Sequence, residues 1–101
     1  MKAITLTQPW ATLVAIGAKQ IETRSWATRY RGPLAIHAAA GLGPVGGRRG
    51  LVRVLCGSPF QNTLGPIYGY GVMNIDAMPR GAIVARCELV DCVPTWPSWA
   101  T

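Results

Sequence analysis

The sequence predicts a small α+β domain, mainly β, and three observations carry that prediction. Three short stretches, KAITL, PLAIHAAA and AIVARCELVDCV, hold apolar residues at strand spacing between turn residues. One stretch, TQPWATLVAIGAK, holds them at helical spacing. Twelve glycines and eight prolines in 101 residues leave little room for long uninterrupted helices. A chain of this length makes one domain, expected over residues 1–95, with an irregular tail at 96–101.

Residues 2–6 alternate and form the first expected strand. Thr7 is placed to cap the helix that follows, and Pro9 falls in its first turn, where the missing N–H costs nothing. Trp10, Leu13 and Val14 fall at i, i+3 and i+4 and make one apolar face. Gly17 is a natural stop, so the helix is expected over about 8–16. In KQIETRSW, period two puts Gln20, Glu22 and Arg24 on one face and Ile21 and Thr23 on the other, which predicts a second strand.

In PLAIHAAA, Leu34, Ile36 and Ala38 share a face, with Ala35 and His37 opposite. His37 is read as a hydrogen-bonding residue within the sheet. Residues 41–47, GLGPVGG, make a loop. RRGLVRVLCG is read as a short helix with Leu51, Val52 and Leu55 apolar and Arg48, Arg49 and Arg53 polar. Residues 58–81 carry turn residues throughout and are expected to be irregular. In the final strand, 82–93, Ile83, Ala85, Cys87 and Leu89 line one face, and Val84, Arg86, Glu88 and Val90 the other.

The formal charge is +6, and eight of the ten basic residues are arginine. Arginine suits bidentate contact with phosphate and base edges, so a basic domain of this size points to nucleic acid. The three cysteines form no CxxC pair, and His37 is the sole histidine. That pattern argues against a disulfide framework and a metal site, and the thiols are expected to be reduced and buried. Thr5, Thr7, Gln8 and Pro9 interrupt the early apolar run, so it is not read as a secretory leader. No run is long enough for a membrane helix. A cytoplasmic protein without cofactor is expected.

QPWATLVAIGAKQIETRSW followed by YRGPLAIHAA resembles the ASCH domain, a branch of the PUA-like superfamily. Gly17, Lys19, Glu22 and Arg24 match the family's helix-ending glycine, lysine and Glu-x-Arg. Gln8, Pro9 and Trp10 match the segment that opens the helix, and PRGAIVARCELVDC resembles a later strand. The resemblance implies a small PUA-like β-barrel with flanking helices. Relatives of this kind continue for several tens of residues past the Asp-Cys-Val strand, whereas this chain stops at Thr101. Either the chain is a short or truncated form, whose incomplete barrel would leave open sheet edges for a homodimer to cover, or its last residues, WPSWAT, diverge from the family's tail.

The resemblance also implies nucleic-acid contact, chiefly with RNA or a nucleotide, with DNA left open as a partner. Lys19 and Arg24 suit a phosphate or base edge, and Glu22 suits an exocyclic amine. Trp10 and Trp26 are candidate stacking platforms, though Trp10 also fits a core position. Arg29 and Arg31 add backbone attraction. Gln8 completes the candidate ligand-binding set.

An alternative is a small hydrolase, either an amidohydrolase of the N4-acetylcytidine type or a ribonuclease, with Lys19 and Glu22 catalytic. Glu22 stands where that enzymatic branch would carry a threonine. A non-catalytic interaction domain is the third reading.

Overall fold

Lys2–Leu6 forms β1, Trp10–Ala15 forms α1, and Gly32–Ala38 forms β2. Gly47–Leu55 forms α2, Phe60–Tyr68 forms α3, and Ala82–Leu89 forms β3, preceded by a 3-10 turn at Ile75–Ala77. The computed structural model describes residues 1–24, 26–43, 46–57, 59–69 and 74–93. The tail expected at 96–101 lies outside them. No helix among the described residues is long and apolar enough to cross a membrane.

The strands form one sheet in the order β1-β2-β3. β1 runs parallel to β2, with Lys2 opposite Leu34 and Leu6 opposite Ala38. β3 runs antiparallel to β2, with Leu34 opposite Cys87 and Ile36 opposite Ala85. A parallel pair needs a crossover, and α1 supplies it by packing on β2 and β3. The α+β class is as expected, and among the described residues the sheet stays open, as in the incomplete barrel expected of a short or truncated form. Each strand adds only about 20–25° of twist, so three strands among the described residues make an open, twisted sheet.

Period two places the sheet core as expected. Leu6, Ile36 and Ala38 are buried against Ala11 of α1, with Ile4, Leu34, Ala85 and Cys87 packed around them. A register shift between Ile36 and His37 alters one assignment. Ile83 pairs with His37 and is 58% exposed, whereas Val84 packs against the core. The irregularity turns Val84 inward where simple alternation would have placed Ile83.

A second cluster lies beyond α1. Leu13, Leu51, Leu55, Leu64, Ile75 and Met78 are buried together, with Trp10, Phe60 and Tyr68 packed against them. Trp10 belongs to both clusters, and its ring meets Phe60 edge-on at 5.5 Å. This confirms its core placement. The stretch expected to be irregular holds α3. Gly65 and Pro66 both disfavour a helix, yet burial of Leu64 and the packing of Phe60 and Tyr68 at helical spacing override them.

Several local devices differ from expectation. The start of α1 is capped by Gln8, whose Oε1 accepts from the Thr12 backbone N–H at 3.1 Å. Thr7 offers only its carbonyl, to Ala11 N–H at 3.2 Å. Gly17 ends the helix at φ +80°, with Lys19 N–H donating back to Leu13 O at 3.0 Å. The cysteines are free, but Cys56 is exposed and Cys87 and Cys92 are half-buried, so the expectation of three buried thiols is corrected.

Gly43 stands at φ +67°, and a Cβ built there would lie 2.6 Å from Thr7 Cγ2. Gly17 has a similar φ but nothing within 4 Å. Gly43→Ala is therefore expected to cost about 2–3 kcal/mol, from left-handed strain plus a clash. Gly17→Ala carries the strain alone, about 1 kcal/mol. Urea titrations of the two variants measure the difference, and equal losses would contradict the clash.

Candidate functional site

The segment from Lys19 to Tyr30 is the return leg of the crossover between α1 and β2. The expected strand over 19–26 is absent from its described residues. Ile21, expected to face inward, is 77% exposed. A strand requires a partner for its backbone, and this segment has none among the described residues. Side chains hold it instead. Lys19 Nζ donates to Glu22 Oε2 at 3.0 Å and to the Ile21 carbonyl. Arg24 Nη2 donates to the Thr5 carbonyl on β1 at 2.6 Å.

The arm and the sheet enclose a cleft of about 1140 Å³. Its floor is apolar, from Ile4, Leu34 and Ile36, with Tyr30, Cys87 and Leu89 beside them. Lys19, Glu22, Arg24 and Trp26 stand along the arm side, and Trp26 is 55% exposed. Lys2 also lines the cleft and lies 5.4 Å from the Tyr30 ring centre. Glu22 and Asp91 also line the cleft, and Glu88 borders it from the sheet edge. A smaller hollow of about 230 Å³ is lined by Trp10, Lys19, Glu22 and Thr23.

Of the residues singled out from sequence, the structure gathers Lys19, Glu22, Arg24 and Trp26 at the cleft, and Trp10 lines the smaller hollow with Lys19 and Glu22. Arg29 is exposed outside the lining and has no partner among the described residues. Arg31 donates to the Thr28 and Tyr30 carbonyls at 3.1 and 2.8 Å and reaches Asp91 Oδ1 at 3.5 Å. It ties the end of the arm to the chain beyond β3.

Gln8 is set apart from the cleft. It is 0% exposed, and its Nε2 donates to Pro79 O at 2.7 Å while its Oε1 caps α1. His37 shares a hydrogen bond of 3.3 Å with Thr5 across the strands, as expected of a sheet residue. The apolar floor and Tyr30 were missed as site residues. Their signal was alternation, which marks a strand face without saying whether protein or ligand covers it.

A second charged feature lies away from the cleft. Arg48 donates to both carboxylate oxygens of Asp76, at 2.6 and 2.8 Å, joining α2 to the 3-10 turn. The hydrogen bonds from Arg48 hold the Asp76 carboxyl below the ordinary carboxylate range, with smaller attraction from Arg48 and Arg80. A depressed folded value means that the contribution to stability is present above about pH 4 and is lost as the pH falls through that folded value. Melts of the parent and Asp76→Asn are expected to differ slightly at pH 7 and to draw together as the pH falls below the ordinary carboxylate range. The pair is exposed, so the difference at pH 7 is small. A gap that widens in acid would contradict this sign.

The family model for the ASCH domain matches residues 4–101. The chain is 32% identical over 90 residues to the Mus musculus protein named "Activating signal cointegrator 1". It is 31% identical over 90 residues to the Homo sapiens protein of the same name. Each match covers 89% of this chain and 14% of the relative, so the chain spans about one seventh of the length of these relatives. With the family match running through β1, α1, the cleft arm and β3, the chain belongs to the ASCH domain family.

Proposed function

We propose that this domain recognises single-stranded RNA by admitting a base into the cleft between the arm and the sheet. The observation that carries this reading is the cleft's composition: an apolar floor, an exposed tryptophan at the side, and polar groups on one arm. Such a cleft suits a flat, apolar ring with polar edges better than a bare phosphate, because its floor is apolar. Lys19 and Arg24 meet acceptors on the base or sugar, Glu22 accepts from an exocyclic amine, and Trp26 stacks. Trp10 lines the smaller hollow beside Lys19 and Glu22. Arg29 and Arg31 lie outside the cleft and attract the backbone, supported by the net charge of +6. Association of the ASCH family with RNA binding supports the same partner class.

The hydrolase reading receives less support. Lys19 gives two of its hydrogen bonds to Glu22 and Ile21. That suits a positioned cation better than a free amine nucleophile.

The test is a titration of a fluorescent single-stranded RNA at two salt concentrations. Binding is expected to weaken as salt rises, and Trp26→Ala is expected to weaken it roughly ten-fold at either concentration. A double substitution of Lys19 and Arg24 by alanine is expected to lower affinity further. Binding that ignores salt and all three residues would overturn the reading. A matched DNA strand separates readout of the 2′-hydroxyl from general attraction.

A further inference from the structure

β3 is an edge strand of eight residues, and no strand covers its outer side among the described residues. A long open edge is a template for another strand. Arg86 and Glu88 lie on the face turned away from the core, opposite Ala35 and Pro33 of β2. Both are exposed, and neither has an ion-pair partner among the described residues. Ala85, Cys87 and Leu89 lie on the core-side face, where Cys87 and Leu89 border the cleft.

We propose that β3 pairs antiparallel with β3 of a second copy of this chain, about a two-fold axis through Cys87. Pairings that keep both core faces on the same side centre the axis on a residue, and the charges decide which one. An axis at Arg86 sets arginine against arginine, and one at Glu88 sets glutamate against glutamate. The axis at Cys87 alone sets Arg86 opposite Glu88 of the second copy, twice over. It also sets Ala85 opposite Leu89 of the second copy and Cys87 opposite itself. Opposite charges directly across an antiparallel pair stabilise it, and like charges oppose it. The apolar stripe of one sheet then continues into the other, giving a six-stranded sheet in which both β3 edges are satisfied.

The test is analytical ultracentrifugation of the full chain across a concentration series. The parent is expected to show a monomer–dimer equilibrium. Arg86→Glu or Glu88→Arg alone sets like charges across the axis twice and is expected to weaken association roughly ten-fold or more. The double reversal restores opposite charges and is expected to restore association. Both side chains are exposed, so circular dichroism of the singles is expected to match the parent, as are melts taken at concentrations where the parent is monomeric. A parent that stays monomeric throughout, or a dimer indifferent to the single reversals, overturns the proposal. Cys56→Ser with Cys92→Ser leaves Cys87 as the one thiol. Cβ atoms facing each other at the axis lie about 4.5–5.5 Å apart, so a short bis-maleimide, which adds one thiol across each of its two double bonds, is expected to cross-link the dimer. A dimer that resists this cross-link places the axis elsewhere and equally overturns it.

Discussion

Gln8→Ala is expected to destabilise the domain by about 2–4 kcal/mol, a large effect for one polar side chain. Gln8 is fully buried and serves two structural elements at once. Its carbonyl oxygen caps α1 at Thr12, and its amide donates to Pro79 ahead of β3. Truncation strips the buried Thr12 N–H of its acceptor and the Pro79 carbonyl of its donor, and leaves a hole beside them. Gln8→Glu separates the two roles. It keeps an acceptor for Thr12 but loses the donor to Pro79, and it places a carboxylate in a fully buried site. It is therefore expected to be destabilised at pH 7 and to recover in mild acid, where the neutral carboxylic acid can donate again. Urea denaturation at pH 7 and pH 5 measures both variants. A Gln8→Ala protein as stable as the parent would remove Gln8 from the framework.

Leu51→Ala is expected to cost about 3 kcal/mol, within the range of about 2–5 kcal/mol for a buried leucine that leaves a cavity. Leu51 is 0% exposed and packs with Leu13, Leu55, Leu64, Ile75 and Met78. The cluster joins α1, α2, α3 and the 3-10 turn, and little else holds α2 and α3 to the sheet. Arg49→Ala, two positions earlier and exposed on the same helix, is the comparison and is expected to change stability by less than about 0.5 kcal/mol. Domains of this size are stable by about 5–15 kcal/mol, so Leu51→Ala brings a domain at the lower end close to unfolding at 37 °C. Equal midpoints for the two variants in urea would contradict the assignment of this core.

Where residues repeat with a period and their partners are the protein itself, the sequence was legible. Ile4 and Leu6, Leu34 to Ala38, and Ala85 to Leu89 alternate because one face of each strand meets α1, and that burial is written directly into residue type. Leu51 and Leu55 likewise announce α2. The arm misled for a physical reason. Lys19 to Arg24 alternates polar and apolar residues, but alternation does not reveal whether a neighbouring strand is present, and without one the segment is held by Arg24 and Lys19 instead. α3 was hidden because Gly65 and Pro66 are poor helix residues, and only tertiary burial of Leu64 reverses that preference. Gln8 was read as facing a ligand because its matched segment lies near the site. Its isolated position gave no sign that Pro79, 71 residues later, would receive its amide. Of the candidate site, the four arm residues were visible and the apolar floor was not.

The return leg of the crossover sits where the parallel pairing of β1 and β2 obliges the chain to pass, whatever its sequence. Its course is fixed at one end by Gly17 and the Lys19 backbone and at the other by Arg31 and the start of β2. Between those ends Gln20, Ile21, Glu22 and Thr23 are all exposed and contribute little to either core. On the reading proposed above, recognition and folding are written in different letters of the chain. Substitutions at Gln20, Ile21 and Thr23 are therefore expected to carry little thermodynamic risk, whereas the scaffold that presents the arm tolerates far less change.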